Sequence, residues 1–134
     1  MTKVRDLMIK NVVKASLKER VIDAAKKMKE TGVSSLVVTE GNKVRGIITR
    51  SDFIDRVVAE ARNPNTTLVE DIMTKDVLTI DANASIIDAL KLMNKYKYSQ
   101  LPVVDKGELV GIIAIRDALN YIAKLFTASG WGQT

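Results

Sequence analysis

The chain has 134 residues, 46% hydrophobic and only 4% aromatic, with 21 Lys and Arg against 16 Asp and Glu for a net charge of +5. It has neither Cys nor His, which excludes disulfides, thiol nucleophiles, Ser-His-Asp and Cys-His constellations, and zinc sites of the usual Cys/His type. No apolar run approaches the roughly 20 residues that span a bilayer, and Met1-Thr2-Lys3-Val4-Arg5-Asp6 lacks the apolar core of a signal peptide, so a cytoplasmic protein with no membrane partner is expected.

The first segment, Val4 to Ala15, carries Leu7, Met8, Val12 and Val13 and predicts one turn followed by a brief strand. A helix follows, with Val21, Ile22, Ala24, Ala25 and Met28 on one stripe and Gly32 as its stop. Ser16 and Glu19 have the S-x-x-E spacing of an N-terminal cap. Ser35–Thr39 and Val44–Thr49 predict a hairpin around Glu40-Gly41-Asn42. A second helix is expected over about 52–62, opened by Asp52, and Asn63-Pro64-Asn65-Thr66-Thr67 reads as a linker.

The same order then returns. Leu68 to Ile80 carries Ile72, Met73, Val77 and Leu78. Ile86, Ile87, Ala89, Leu90 and Met93 form a helical stripe, with Ser85 and Asp88 as its cap, running into Lys95-Tyr96-Lys97-Tyr98 without a stop glycine. Leu101–Val104 and Leu109–Ala114 predict a hairpin around Asp105-Lys106-Gly107, with Pro102 at a strand start or edge because it cannot donate to a ladder. A helix follows over about 117–127, and Ser129 to Thr134 reads as a frayed tail.

Sliding the sequence by 65 aligns residues 6–54 with 71–119 without a gap and gives 16 identities in 49 positions, against about three by chance. The identities include Asp6/Asp71, Met8/Met73, Met28/Met93, Gly46/Gly111, Ile48/Ile113 and Asp52/Asp117. The repeated methionines sit on apolar faces and read as core. The expectation is a mixed α/β chain (α+β) of two tandem β-α-β-β-α repeats, residues 1–65 and 66–134, each too small to bury much alone. At the end of each hairpin, Gly46-Ile47-Ile48-Thr49-Arg50-Ser51-Asp52 and Gly111-Ile112-Ile113-Ala114-Ile115-Arg116-Asp117 lead from a strand into a helix N-terminus, where free backbone N–H groups collect. Asp suits a helix N-cap there. The P-loop and the dinucleotide Gly-x-Gly-x-x-Gly are absent.

The repeated unit, with Val69-Glu70-Asp71-Ile72-Met73-Thr74-Lys75-Asp76-Val77, Leu101-Pro102-Val103-Val104-Asp105 and the Gly-Ile-Ile-Thr-x-x-Asp ending, resembles a tandem pair of CBS domains, the regulatory repeats named after cystathionine β-synthase. The resemblance covers about Lys3 to Ala128 and implies sheets packed about a pseudo-twofold, with two clefts suited to adenine nucleotides or S-adenosylmethionine. It places Asp52 and Asp117 as ribose acids, a role a carboxylate fills by accepting from vicinal hydroxyls. Thr49 matches the hydroxyl that meets ribose or phosphate, which Ala114 lacks, while Arg50 and Arg116 can offer a guanidinium to a phosphate. Segments 9–12 (Ile9, Asn11, Val12) and 74–77 (Thr74, Asp76, Val77) match the base-binding edge. Ser34, Ser35 and Val37, and Tyr98, Ser99, Gln100 and Pro102, match the opposite walls, with Tyr98 the stacking candidate.

These readings predict a non-catalytic regulatory module with no cofactor or metal, binding AMP, ADP, ATP or another adenosine-containing ligand such as S-adenosylmethionine, and signalling to an effector protein. A homodimer through the helices at 52–62 and 117–127 is expected from the resemblance. The basic excess leaves a nucleic-acid-binding module as the alternative, though Lys and Arg are spread along the chain without an aromatic-interleaved basic motif. A nucleotide-hydrolysing enzyme would need a metal-binding carboxylate cluster that the sequence does not show.

Overall fold

The computed structural model describes residues 1–128 and Gly130, so the tail beyond Ala128, Gly130 excepted, lies outside the described residues. In chain order the elements are α1 (Val4–Leu7), β1 (Lys14–Ser16), α2 (Val21–Thr31), β2 (Ser35–Glu40), β3 (Lys43–Thr49) and α3 (Arg50–Phe53), which continues as a π-helical turn (Ile54–Val58). They repeat as α4 (Val69–Ile72), β4 (Thr74–Lys75), β5 (Ile80–Asp81), α5 (Ile86–Tyr96), β6 (Gln100–Asp105), β7 (Glu108–Ala114) and α6 (Ile115–Ala128).

The chain folds as two compact units, and neither is a continuous stretch of sequence. One is built from Asn11–Val77 with Gly107–Leu109; the other combines Met1–Lys10 with Leu78–Lys106 and the chain from Val110 onward. Each hairpin therefore receives the opening segment of the other repeat. In the 11–77 unit the strand order is β1-β2-β3-β4, with β1 parallel to β2, β2 antiparallel to β3, and β3 antiparallel to β4 at Gly46↔Lys75 and Ile47↔Thr74. The other unit has the order β5-β6-β7, and its equivalent of β4 is a single antiparallel bridge, Ile9↔Ile112, closed by bonds of 2.8 and 3.0 Å in the two directions.

Glycine makes these close approaches possible. A Cβ on Gly46 would stand 2.7 Å from both the Met73 sulfur and the Thr74 carbonyl oxygen, and one on Gly111 would stand 2.6 Å from the Met8 sulfur and 2.9 Å from the Ile9 carbonyl oxygen. A glycine inside a strand commonly marks such a neighbour.

Each unit buries its own apolar cluster. Val21, Ala24, Met28, Leu36, Val38, Ile48, Val69, Ile72 and Met73 fill the first, and Val4, Ile86, Ala89, Met93, Leu101, Val103 and Ile113 fill the second. The expectation that the repeated methionines are core holds: Met28, Met73 and Met93 are buried, and Met8 packs partly buried against the second cluster.

The helix ends refine the sequence reading. Ser85 caps α5 by accepting from Asp88 N at 3.1 Å, as its spacing predicts. Ser16 caps nothing; its amide donates to Glu19 Oε1 (3.3 Å) in a turn, and the residue before α2 is Arg20, whose side chain pairs with Asp23. Gly32 ends α2 at φ 73°, whereas Lys97 takes the left-handed position after α5 at φ 61°, where the sequence supplies no glycine. Pro102 is buried on the middle strand β6, near its start, and pairing with β5 begins only at the next residue, Val103.

Candidate functional site

The strand-to-helix junction at the end of β3 begins with Thr49 in extended backbone (φ −119°, ψ 170°) and turns helical at Arg50. Helix α3 therefore starts earlier than the expected 52–62, and Asp52 is its third residue rather than its cap. Asp52 Oδ2 accepts from the Thr49 amide at 2.8 Å and from the Thr49 hydroxyl at 3.3 Å, and that hydroxyl lies 2.9 Å from Ser51 Oγ. The same device opens the other one-turn helices: Asp6 accepts from Lys3 N (2.9 Å) and Asp71 from Leu68 N (3.1 Å). An acid at this position satisfies an amide that the first turn leaves without a helical partner. Asp6 and Asp71, prominent among the repeated residues, are thus explained as helix openers.

Asp52 is 7% exposed. Its Oδ1 accepts no hydrogen bond among the described residues and faces Arg56 Nε at 3.7 Å. A carboxylate offers about four lone-pair positions, so the helix-opening role leaves this oxygen able to accept from a ligand.

Sheet register brings further residues to the same end of β3. Ser35 stands opposite Thr49 across the β2–β3 ladder, and Thr74 stands opposite Ile47 on the other side. Asp76 follows β4 with φ 52°, a left-handed backbone, and Val77 is half-buried. Ser34 and Arg50 are exposed. An open depression of about 480 Å³ beside β4 is lined by Arg56, Glu70, Asp71, Met73, Thr74 and Lys75. At its margin Lys18 donates to Glu70 at 2.6 Å, and that hydrogen bond, with the carboxylate's charge, holds the lysine above its ordinary value.

Val37 belongs elsewhere. It is fully buried, its amide bonds Val13 O at 3.3 Å, and it pairs with Ile47, so it presents no wall to a ligand.

In the second repeat the junction is poorer. Ala114 is nearly buried and has no hydroxyl, Asp117 is half-exposed on the first turn of α6 and holds no capping bond among the described residues, and Arg116 is exposed. Ile9 lies on the edge of β7 leading to this junction; Asn11 is exposed and Val12 half-buried. The base-edge segments are thus crossed: 74–75 runs beside Thr49 and Asp52, and Ile9 beside the strand that ends at Ala114. Tyr98 packs against its unit's core and stacks on Tyr96, with ring centroids 6.5 Å apart and planes 23° apart. The Ser99 carbonyl accepts from Ile115 N (2.8 Å) and anchors α6, and Gln100 opens β6.

Sequence reasoning missed Arg56. Its Nη1 donates to the carbonyls of Ile72 and Met73, both at 3.1 Å. The legible signal was its place four residues after Asp52, the spacing that sets two helical side chains on one face. Among the described residues no cluster of acidic side chains is arranged to hold a metal ion, and no helix is long and apolar enough to cross a membrane.

Comparison with known proteins agrees with this architecture. The family model described as CBS domain matches twice, over residues 4–59 and 69–124. The chain is 32% identical over 124 residues to the CBS domain-containing protein YhcV of Bacillus subtilis, covering 92% of this chain and 88% of that protein. It is 35% identical over 113 residues to an uncharacterized protein of Methanopyrus kandleri, of which it covers 58%. The chain spans between 15% and 58% of the length of the first curated relatives it matches. Among solved structures, an uncharacterized conserved protein from Pyrococcus horikoshii superposes with a TM-score of 0.81 at 28% identity over 90% of this chain and 92% of that one. CBSX2 in complex with AMP shares the fold, with a TM-score of 0.81 at 23% identity over 93% of this chain and 98% of that one.

Proposed function

Because the chain belongs to the CBS domain family and carries two copies of the domain in tandem, we propose that it is a non-catalytic regulatory module that binds an adenosine-containing ligand and reports its occupancy to a partner protein. The observation that carries this reading is the junction in the 11–77 unit. Thr49 and Asp52 stand there with Ser35 and Thr74 alongside in register, and the buried Asp52 keeps one carboxylate oxygen without a hydrogen bond. That oxygen accepts from a ribose hydroxyl, Thr49 and Arg50 serve phosphate, and the edge 74–77 meets the base. AMP, ADP, ATP and S-adenosylmethionine are the candidates; AMP is what CBSX2, a protein of the same fold, holds. Regulation then requires only that the ligand bind two arrangements of the module with different affinity.

The second junction, with Ala114 in place of Thr49, serves as the weaker site. The module also pairs with a second copy of itself: Ile54 and Val58 after α3, and Leu119, Leu125 and Phe126 on α6, are each about half exposed or more. Sedimentation equilibrium of Val58→Glu against the unaltered chain tests the pairing, and an unchanged mass rules out pairing through the turn after α3.

Thermal melting with a ligand panel tests the ligand. A ligand at 100 times its dissociation constant adds about 2.7 kcal/mol, several degrees for a domain of this size. Adenosine nucleotides should raise the melting temperature more than their guanosine and cytidine analogues. Equal stabilisation by all bases overturns adenosine recognition in favour of phosphate-only binding, and a steep loss with salt would mark the nucleic-acid alternative.

A further inference from the structure

Arg56 joins three groups that the proposed site uses. Its Nη1 donates to Ile72 O and Met73 O, both at 3.1 Å, and its Nε lies 3.7 Å from Asp52 Oδ1. The two carbonyls belong to the last residue of α4 and to the residue leading into β4. Helix-terminal carbonyls lack intrahelical donors, and the guanidinium nitrogen that donates to both ties the start of β4 to the π-helical turn after α3. The carbonyls are the firm anchor; the carboxylate pair is longer, and Arg56 is half exposed. The π-helical turn begins between the two partners, at Ile54, where Ala59 N reaches back to Ile54 O at 2.9 Å. Turns of this kind are uncommon and recur at functional positions.

We propose that Arg56 is the positioning residue of the first-repeat site: it holds the Asp52 carboxylate and the Met73–Thr74 edge in one frame, and so sets the affinity of that site for the ribose of its ligand. The proposal rests on the adenosine reading above. It is specific to one repeat, because the residue 65 positions on is Tyr121, an uncharged side chain whose hydroxyl pairs with Thr2. Arginine suits the task because its fork addresses two acceptors with separate N–H groups, whereas a lysine ammonium acts as a point charge.

The test is calorimetric titration of the full chain with AMP and with 2′,3′-dideoxy-AMP, which offers Asp52 no hydroxyl. Arg56→Gln should weaken AMP about fivefold to tenfold, while the dideoxy analogue changes less than about twofold. In an Asp52→Asn background the same substitution should add little, since its effect travels through Asp52. Equal weakening of both ligands marks Arg56 as a merely structural support and overturns the proposal, as does an unchanged affinity for AMP. Should Arg56→Gln not fold, Arg56→Lys keeps a cation and replaces it; the same selective loss for AMP is expected, at about twofold to threefold, and its absence overturns the proposal. If the unaltered chain binds ADP, ATP or S-adenosylmethionine rather than AMP, that ligand and its 2′,3′-dideoxy form replace the pair above; failure to bind any of the four overturns the adenosine reading itself, and is told apart by needing no variant.

Discussion

Replacing Gly46 by Ala tests the crossed architecture at its tightest point. The added methyl would meet the Met73 sulfur and the Thr74 carbonyl oxygen at 2.7 Å, about 0.7 Å short of the 3.4 Å where ordinary contact begins. The methionine is flexible and can swing away. The carbonyl is backbone, and β4 must move with it. That strand has only two residues, paired at Gly46↔Lys75 and Ile47↔Thr74, so the shift strains the whole ladder. Overpacking typically costs about 1–3 kcal/mol and a hydrogen bond about 1 kcal/mol; together they give about 2–4 kcal/mol here. For a domain of this length that lowers the melting temperature by about 8–16 °C, read by circular dichroism or calorimetry. Gly32→Ala is the control: nothing lies within 4 Å of its added methyl and φ is +73°, so left-handed strain of about 1 kcal/mol is all it should lose. Adding Met73→Ala to Gly46→Ala should not restore stability, because the Thr74 carbonyl stays in place. A Gly46→Ala protein melting within about 2 °C of the unaltered chain would refute the close approach of β4 to β3.

Ser85→Ala should cost about 1 kcal/mol by losing the cap on α5, whereas Ser16→Ala, whose hydroxyl caps no helix, should stay within about 0.5 kcal/mol; chemical denaturation at matched pH separates them. Asp52→Asn and Asp117→Asn should not weaken AMP equally: calorimetry is expected to show a loss of about tenfold at the first and little at the second, because only the first junction has a hydroxyl beside the acid. Equal losses would overturn the ranking of the two sites.

The repeat, the two hairpins and the core methionines were legible because they follow from local pattern: a gapless 65-residue offset, short apolar runs on either side of Gly41 and Gly107, and stripes at helical spacing. Spacing alone misled at Ser16 and Glu19. By the 65-residue offset the partner of Ser85 is Arg20, not Ser16, so the repeat already contained the correction. The role of Asp52 was half legible: its place at a helix start was clear, but α3 begins at Arg50, within a polar Thr49-Arg50-Ser51 stretch that carries no periodic signal. The partner of each opening segment was not legible. Gly46 and Gly111 announce a close neighbour, yet nothing local says that the neighbour of Gly46 is Met73 rather than Met8, which occupies the same place in the other repeat. The π-helical turn and the reach of Arg56 depend on that pairing and were hidden with it.

The exchange of opening segments also sets a timetable for synthesis. The 11–77 unit has its hairpin, its helices and β4 in hand once Val77 is made, and receives only Gly107–Leu109 afterwards. The first ten residues face a different clock. Ile9 finds its sheet partner only when Ile112 emerges, and at roughly 5–20 residues per second the interval is on the order of 5–20 s. Throughout it Val4, wholly buried in the finished fold, has no core to enter. Bringing ends so far apart together also carries a loop-closure entropy that the early unit avoids. Residues 1–10 are therefore made well before the hairpin that shelters them, and they are the stretch most in need of protection while the chain is being made.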